Sequence, residues 1–113
     1  MANLSFETSV DGRAAVVAIR GELDLAGSAA LEQELARLEE TPSGAIVLDL
    51  RGVRFMDSSG LRVIAMSVQR AHAHGRRLAL VPGTEQVMRV FDITRMRERL
   101  DFVDDPRDVT GGA

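Results

Sequence analysis

With 113 residues, 45% of them apolar and 27% charged, the chain has the make-up of a soluble globular protein and room for a single domain over residues 1–113. A formal net charge of −3 and the lack of Trp and Tyr argue against direct binding of nucleic acid, because phosphate backbones demand clustered positive charge and single strands demand aromatic platforms. The absence of Cys excludes disulfides, thiolate chemistry and cysteine metal sites, and because all 14 basic residues are Arg there is no lysine for Schiff-base chemistry.

The first residues, Met1-Ala2-Asn3-Leu4-Ser5, carry neither a basic region nor an apolar stretch, so no signal peptide is expected. No apolar run approaches the ~18 residues of a membrane span. With no cysteines to oxidise, this predicts a cytoplasmic protein. A strand is predicted near Leu4–Ser9, then a hairpin turn at Val10-Asp11-Gly12-Arg13, since Asp-Gly tolerates positive φ. Ala14 to Ile19 is a β-branched run without polar alternation, which predicts a strand covered on both faces. Gly21-Glu22-Leu23-Asp24 breaks it.

From about Ser28 to Glu40 the period changes, with Leu31, Leu35 and Leu38 on one helical face. Thr41-Pro42-Ser43-Gly44 closes that helix. Ala45 to Leu50 predicts a second buried strand, and Arg51 to Asp57 a loop. A second helix follows with the stripe Leu61, Ile64, Val68 and Ala71, and it ends at Gly75. Arg77 to Val81 predicts a strand stopped by Pro82-Gly83. Thr84 is placed to cap a third helix that turns Val87, Val90 and Phe91 inward. A last short strand is expected at Leu100–Val103, and a frayed tail over residues 107–113, where Gly111-Gly112 disfavours helix. Strands alternating with helices predict an α/β fold: one mixed, mostly parallel sheet with crossover helices and an N-terminal antiparallel hairpin strand.

The stretch from Asp49 to Leu61 joins the end of a buried strand to the start of a helix. In open α/β sheets, ligands and modifications gather at such carboxyl ends. Ser58 lies there, in reach of first-turn N–H groups that have no intrahelical partner and carry partial positive charge. A phosphate at that point accepts those donors and adds a charge of about −1.5 to −2. The neighbouring Asp57 opposes it. The same residues also read as an ordinary N-cap, the commoner case, with Gly60 present for close packing in the first turn; the spacing shows a helix start, not a kinase substrate. Val53, Phe55 and Met56 precede the serine, either as a staple beneath the helix or as the apolar centre of a partner site.

The segment Phe55-Met56-Asp57-Ser58-Ser59-Gly60-Leu61 resembles the phosphorylation-site signature of the STAS family, in particular its anti-sigma-factor antagonists. Gly21-Glu22-Leu23-Asp24, Ile46–Leu50 and Val87–Thr94 are similar to further family segments, in the right order, over roughly Leu4 to Val103. The resemblance implies a STAS-like fold and a protein that binds an anti-sigma factor, itself a serine kinase, until that kinase phosphorylates Ser58. It implies a PP2C-type phosphatase that restores the active form, no enzymatic activity in this chain and no cofactor of its own, since ATP and magnesium belong to the kinase. Asp57 is implied to orient the Ser58 hydroxyl, Ser59 to cap the helix, and Asp24, Met56 and Gly60 to shape the same surface. Two departures stand out. Arg62 replaces a small residue, four positions after Ser58, where it either reaches a phosphate or faces water. Arg95-Met96 replaces a Gly-Leu pair, removing a helix-stopping glycine.

Other signals are weaker. His72 and His74 lie two apart and face different sides of a helix, whereas metal pairs on helices favour i, i+4; cations closing a helix C-terminus are the better reading. Arg89, Arg95, Arg97 and Arg99 form a basic cluster broken by Asp92 and Glu98, read as a solvated face. Competing functions are a STAS scaffold or transporter-associated binding module without a phospho-switch, and a small serine hydrolase built on Ser58. The hydrolase requires a histidine within hydrogen-bond reach, but helix geometry sets both histidines at least ~20 Å along the axis from Ser58.

Overall fold

The computed structural model describes residues 3–12, 14–40 and 44–110. The chain opens with a hairpin of β1 (Leu4–Asp11) and β2 (Ala14–Leu23), followed by α1 (Leu25–Glu39), β3 (Ala45–Met56), α2 (Ser58–Ala73), β4 (Arg77–Val81) and α3 (Glu85–Ile93). A 3-10 turn at Met96–Arg99 leads into β5 (Asp101–Phe102) and a short α4 (Arg107–Thr110). The strands form one sheet in the order β1-β2-β3-β4-β5. β1 pairs antiparallel with β2, and the other pairings are parallel. The tight turn between β1 and β2 uses Gly12 at φ +64°, a conformation glycine adopts without a Cβ clash. Arg13, Thr41-Pro42-Ser43 and Gly111-Gly112 lie outside the described residues.

Right-handed crossovers taken in one direction along the sheet stack α1, α2 and α3 on one face. There Leu31, Leu35 and Leu38 of α1, Leu61, Ile64 and Ala71 of α2, and Val87, Met88 and Phe91 of α3 join Val17, Ile19, Ile46, Leu48, Leu50 and Leu80 in one core. Each large aliphatic side chain so buried contributes roughly 1.5–3 kcal/mol. Phe91 meets Phe102 edge-on, with ring centroids 5.5 Å apart, a geometry favoured by the ring quadrupoles. Val68 and Val90 pack at the margin of the core.

Several sequence expectations need correction. β2 is covered fully on one face only; Val16 and Ala18 remain half-exposed. α1 begins at Leu25, a turn before the predicted Ser28, because Asp24 caps it. β3 does not end at Leu50 but runs to Met56. The predicted loop is strand because β2 lengthens in parallel to pair with it, with register shifts between Ala18 and Arg20 and between Gly21 and Glu22. Such bulges absorb an extra residue and bend the strand. The segment expected to fray is helical over Arg107–Thr110 and contacts β3. Its lead-in is held by Asp105, which accepts from the Arg107 amide at 2.8 Å and pairs with its guanidinium at 3.0 Å. Those two bonds from Arg107 hold the Asp105 carboxyl at about 2. On β3, Asp49 pairs with Arg51 at 2.8 Å. Burial pushes the Asp49 carboxyl up, but the Arg51 side-chain and backbone bonds outweigh it and the net direction is down.

Thr84 caps α3 as predicted, its Oγ1 accepting from the Val87 amide at 3.3 Å. The end of α3 shows what the missing glycine costs. Arg95 adopts φ 58°, ψ 19°, left-handed backbone that strains any residue with a Cβ. The turn is still made because Met96, Leu100 and Phe102 pack against the core beyond it. An Arg95→Gly variant is expected to gain about 0.5–1 kcal/mol, strain relief exceeding the entropy glycine adds to the unfolded chain. A higher urea midpoint with unchanged m-value is the check.

Candidate functional site

The paired extensions of β2 and β3 bring two strand-to-helix turns to the same level. Leu23 and Met56 are the last register partners, so Asp24 and Asp57, each the next residue, leave the sheet side by side. Both have extended backbone, and both are N-caps. Asp24 Oδ1 accepts from the Gly27 amide at 2.9 Å, and Asp57 Oδ1 accepts from the Ser59 amide at 2.9 Å. The Asp57 amide donates to the Leu23 carbonyl at 3.4 Å, tying the two turns together. α1 and α2 therefore present neighbouring N-termini at one end of the sheet.

This corrects the role expected of Ser59. An N-cap residue must be extended while its side chain reaches back to the first turn. Asp57 meets that condition at φ −113°, ψ −168°; Ser59 is already helical and is the donor, not the cap. Asp57 thereby spends one oxygen on the backbone. Ser58 is the first residue of α2 and its side chain is exposed. Its amide and that of Gly60 stand in the first turn, where no intrahelical acceptor exists.

Met56 and Gly60 shape the site from below. Met56 is only 5% exposed, so it is not a partner contact. A Cβ on Gly60 would lie 2.8 Å from Met56 Cγ and 2.9 Å from both Leu23 Cβ and the Leu23 carbonyl oxygen. The absence of a side chain at 60 lets the head of α2 seat directly on the end of β2. Val53 is buried too, whereas Phe55 is 43% exposed and is the apolar residue of that stretch available to a partner.

Between the two helices runs a groove of about 490 Å³, lined by Leu25, Ser28 and Glu32 from α1 and by Ser58, Ser59 and Arg62 from α2. The three α1 residues were not anticipated. Leu25, 76% exposed, carried a readable signal: an apolar side chain outside the helical stripe of Leu31, Leu35 and Leu38. Ser28 and Glu32 carried none, since only the packing of α1 beside α2 brings them to Ser58.

The histidines sit at the other end of α2. His74 Nδ1 lies 2.8 Å from the Arg70 carbonyl oxygen, so that ring nitrogen donates and closes the helix C-terminus. With α2 spanning Ser58–Ala73, His72 is ~20 Å along the axis from Ser58, too far to activate it as a nucleophile. Of the basic cluster, Arg97 pairs with Asp92 at 3.4 Å and lies over the Phe102 ring, while Arg89, Arg95 and Arg99 are exposed.

Residues 6–103 match the family model described as Mlab, STAS domain. The chain belongs to the STAS domain family. The anti-sigma-B factor antagonist of Staphylococcus aureus (strain NCTC 8325 / PS 47) is 26% identical over 96 residues, covering 85% of this chain and 89% of that protein. Among solved structures, an anti-sigma factor antagonist from Mycobacterium paratuberculosis superposes with a TM-score of 0.82 at 20% identity, over 96% of this STAS chain and 92% of the other. The anti-sigma factor antagonist SpoIIAA in its unphosphorylated form gives 0.78 at 19% identity over 93% of each chain. The Bacillus cell fate determinant SpoIIAA in the phosphorylated form gives 0.74 at 17% over 96% and 100%. At these identities the superpositions establish a shared fold. Among the described residues, no helix of this STAS protein is long and apolar enough to cross a membrane.

Proposed function

We propose that this STAS protein is an anti-sigma-factor antagonist whose binding is switched off by phosphorylation of Ser58. The observation that carries the reading is the exposed Ser58 side chain at the first position of α2, in a chain whose relatives are named anti-sigma factor antagonists. One structural neighbour is described in both unphosphorylated and phosphorylated forms, which favours a reversible modification here too. The unmodified protein binds an anti-sigma factor that is also a serine kinase, through a surface with Ser58 at its centre and the exposed Leu25 and Phe55 as apolar contacts. It acts in the cytoplasm as a binding regulator and does no chemistry itself. The kinase brings ATP and magnesium, and a PP2C-type phosphatase resets the switch.

Phosphorylation works on the surface and leaves the core alone. The first-turn amides and the helix dipole offset ~1 kcal/mol of the added charge, and Ser58 has no packing to lose. A docked partner instead meets a strongly hydrated group with net negative charge where it had a hydroxyl, and burying that charge without a cation of the partner's own ejects it. Incubation with the cognate kinase and ATP, followed by mass mapping, is expected to yield one phosphate on Ser58 and none on the Ser58→Ala variant. Phosphate on another residue, or none at all, overturns the assignment. The family description also names Mlab, which favours as a second reading a binding module of a larger assembly without a phospho-switch; an unmodified Ser58 and recovery of a transporter complex on affinity purification would support it.

A further inference from the structure

Four residues after Ser58, the head of α2 carries a cation with nothing to hold. Arg62 is exposed, and among the described residues its side chain forms no ion pair and no hydrogen bond. It lines the same groove as Ser58. Residues four apart on a helix have Cβ atoms about 5–6 Å apart. Every Cα–Cβ bond leans toward the helix N-terminus, so the Arg62 side chain is directed back over the turn that carries Ser58. Its guanidinium offers a planar fork of donors that matches phosphate oxygens.

The capping aspartates at this end of the molecule are partly occupied. Asp57 and Asp24 each spend an oxygen on a backbone amide. Glu32 faces the groove from α1 and competes for Arg62. Beneath lies Ser28, whose Oγ is buried and without a hydrogen-bond partner, so the groove holds an unspent polar group at its floor as well as an unspent cation at its rim.

We infer that Arg62 is the built-in counter-ion of the Ser58 phosphate, folding back along α2 to clamp the phosphoryl group once it is attached. This deepens the phospho-switch reading and rests on it. The clamp has two consequences. It holds the phosphate against the head of α2, over the surface a partner uses. It also withdraws Arg62 from that surface, so a partner carboxylate that met a free guanidinium before modification meets a closed pair with net negative charge after it.

The test uses the full chain with phosphoserine placed at position 58 during translation by genetic encoding, so it does not depend on any kinase. The phosphate is titrated by phosphorus NMR in wild type and in the Arg62→Gln, Arg62→Lys and Glu32→Gln variants. A unit charge about 6 Å away in water shifts a pKa by roughly half a unit. The second ionisation of the wild-type phosphate is therefore expected to lie lower than in Arg62→Gln by at least about half a unit, a threefold change in proton affinity. Arg62→Lys should restore part of the shift, since it keeps the charge and loses the fork. Glu32→Gln should enlarge it, and 1 M salt should shrink it. Coincident titrations of wild type and Arg62→Gln at low salt overturn the clamp. Because Arg62 is exposed, Arg62→Gln is expected to fold, with unchanged amide spectra outside the groove. A kinase that fails to modify Ser58 would sink the switch and leave this measurement standing; equal titrations would sink the clamp and leave the switch.

Discussion

A Ser58→Asp variant is expected to bind the anti-sigma-factor kinase at least about 30-fold more weakly than wild type in titration calorimetry, while Ser58→Ala binds as tightly as wild type and stays bound when ATP is added. The size of the loss follows from the site. Leaving one charge unpaired in a desolvated interface costs about 2–5 kcal/mol, and the carboxylate carries only half the charge of a phosphate, which puts the expectation at the lower end. The fold is not at stake in either variant, because Ser58 is exposed and Asp57, not Ser58, caps α2. Ser58→Ala removes a hydroxyl that holds nothing up. Equal affinities for Ser58→Asp and wild type would show that charge at this position does not control docking.

The second large effect concerns the seat beneath the site. Gly60→Ala is expected to destabilise the protein by about 1–3 kcal/mol, even though alanine is the better helix former by about 1 kcal/mol. Two of the three atoms that the new methyl group meets, Met56 Cγ at 2.8 Å and Leu23 Cβ at 2.9 Å, belong to buried side chains, and the third, at 2.9 Å, is the Leu23 backbone oxygen. Met56 has rotamers to yield with; a carbonyl in the middle of a paired strand end does not. The start of α2 must lift, which strains the bond from the Asp57 amide to that same carbonyl and moves Ser58 with it. Thermal unfolding should show a Tm lower by at least about 4 °C, together with slower phosphorylation of Ser58. Substituting the exposed Gln69 by alanine is the control for a change on the same helix that leaves the seat intact. A Gly60→Ala protein as stable as wild type would mean that the close contact between α2 and β2 is not needed to hold the site.

The order of elements was legible because each rests on a local pattern. Leu31, Leu35 and Leu38 repeat at helical spacing and are all buried in α1; Ala45 to Leu50 is apolar but for Asp49 and is a strand buried on both faces. Ser58 was legible as a helix start at a strand's carboxyl end for the same reason. The second half of β3 was not. Arg51 to Met56 alternates irregularly between polar and apolar, which by itself describes a loop; it is strand because β2 has a matching extension and two register shifts that keep the pair together. The cap was misassigned by two positions, since Asp57 and Ser59 both suit the role and only the point where the backbone turns helical separates them.

The sequence by itself determined the order of the main strands and helices, that a serine stands at the head of the second helix, and that the chain has STAS character, because these follow from spacing and residue type along a few consecutive turns. The tertiary structure alone decided what surrounds that serine. Leu25, Ser28 and Glu32 lie some thirty positions before it, and parallel pairing of β2 with β3 is what sets Asp24 beside Asp57 and α1 beside α2. Contacts across a crossover depend on register and on which face of each helix is pressed to the sheet, and no local pattern encodes the distance between two helices that meet only through the strands beneath them.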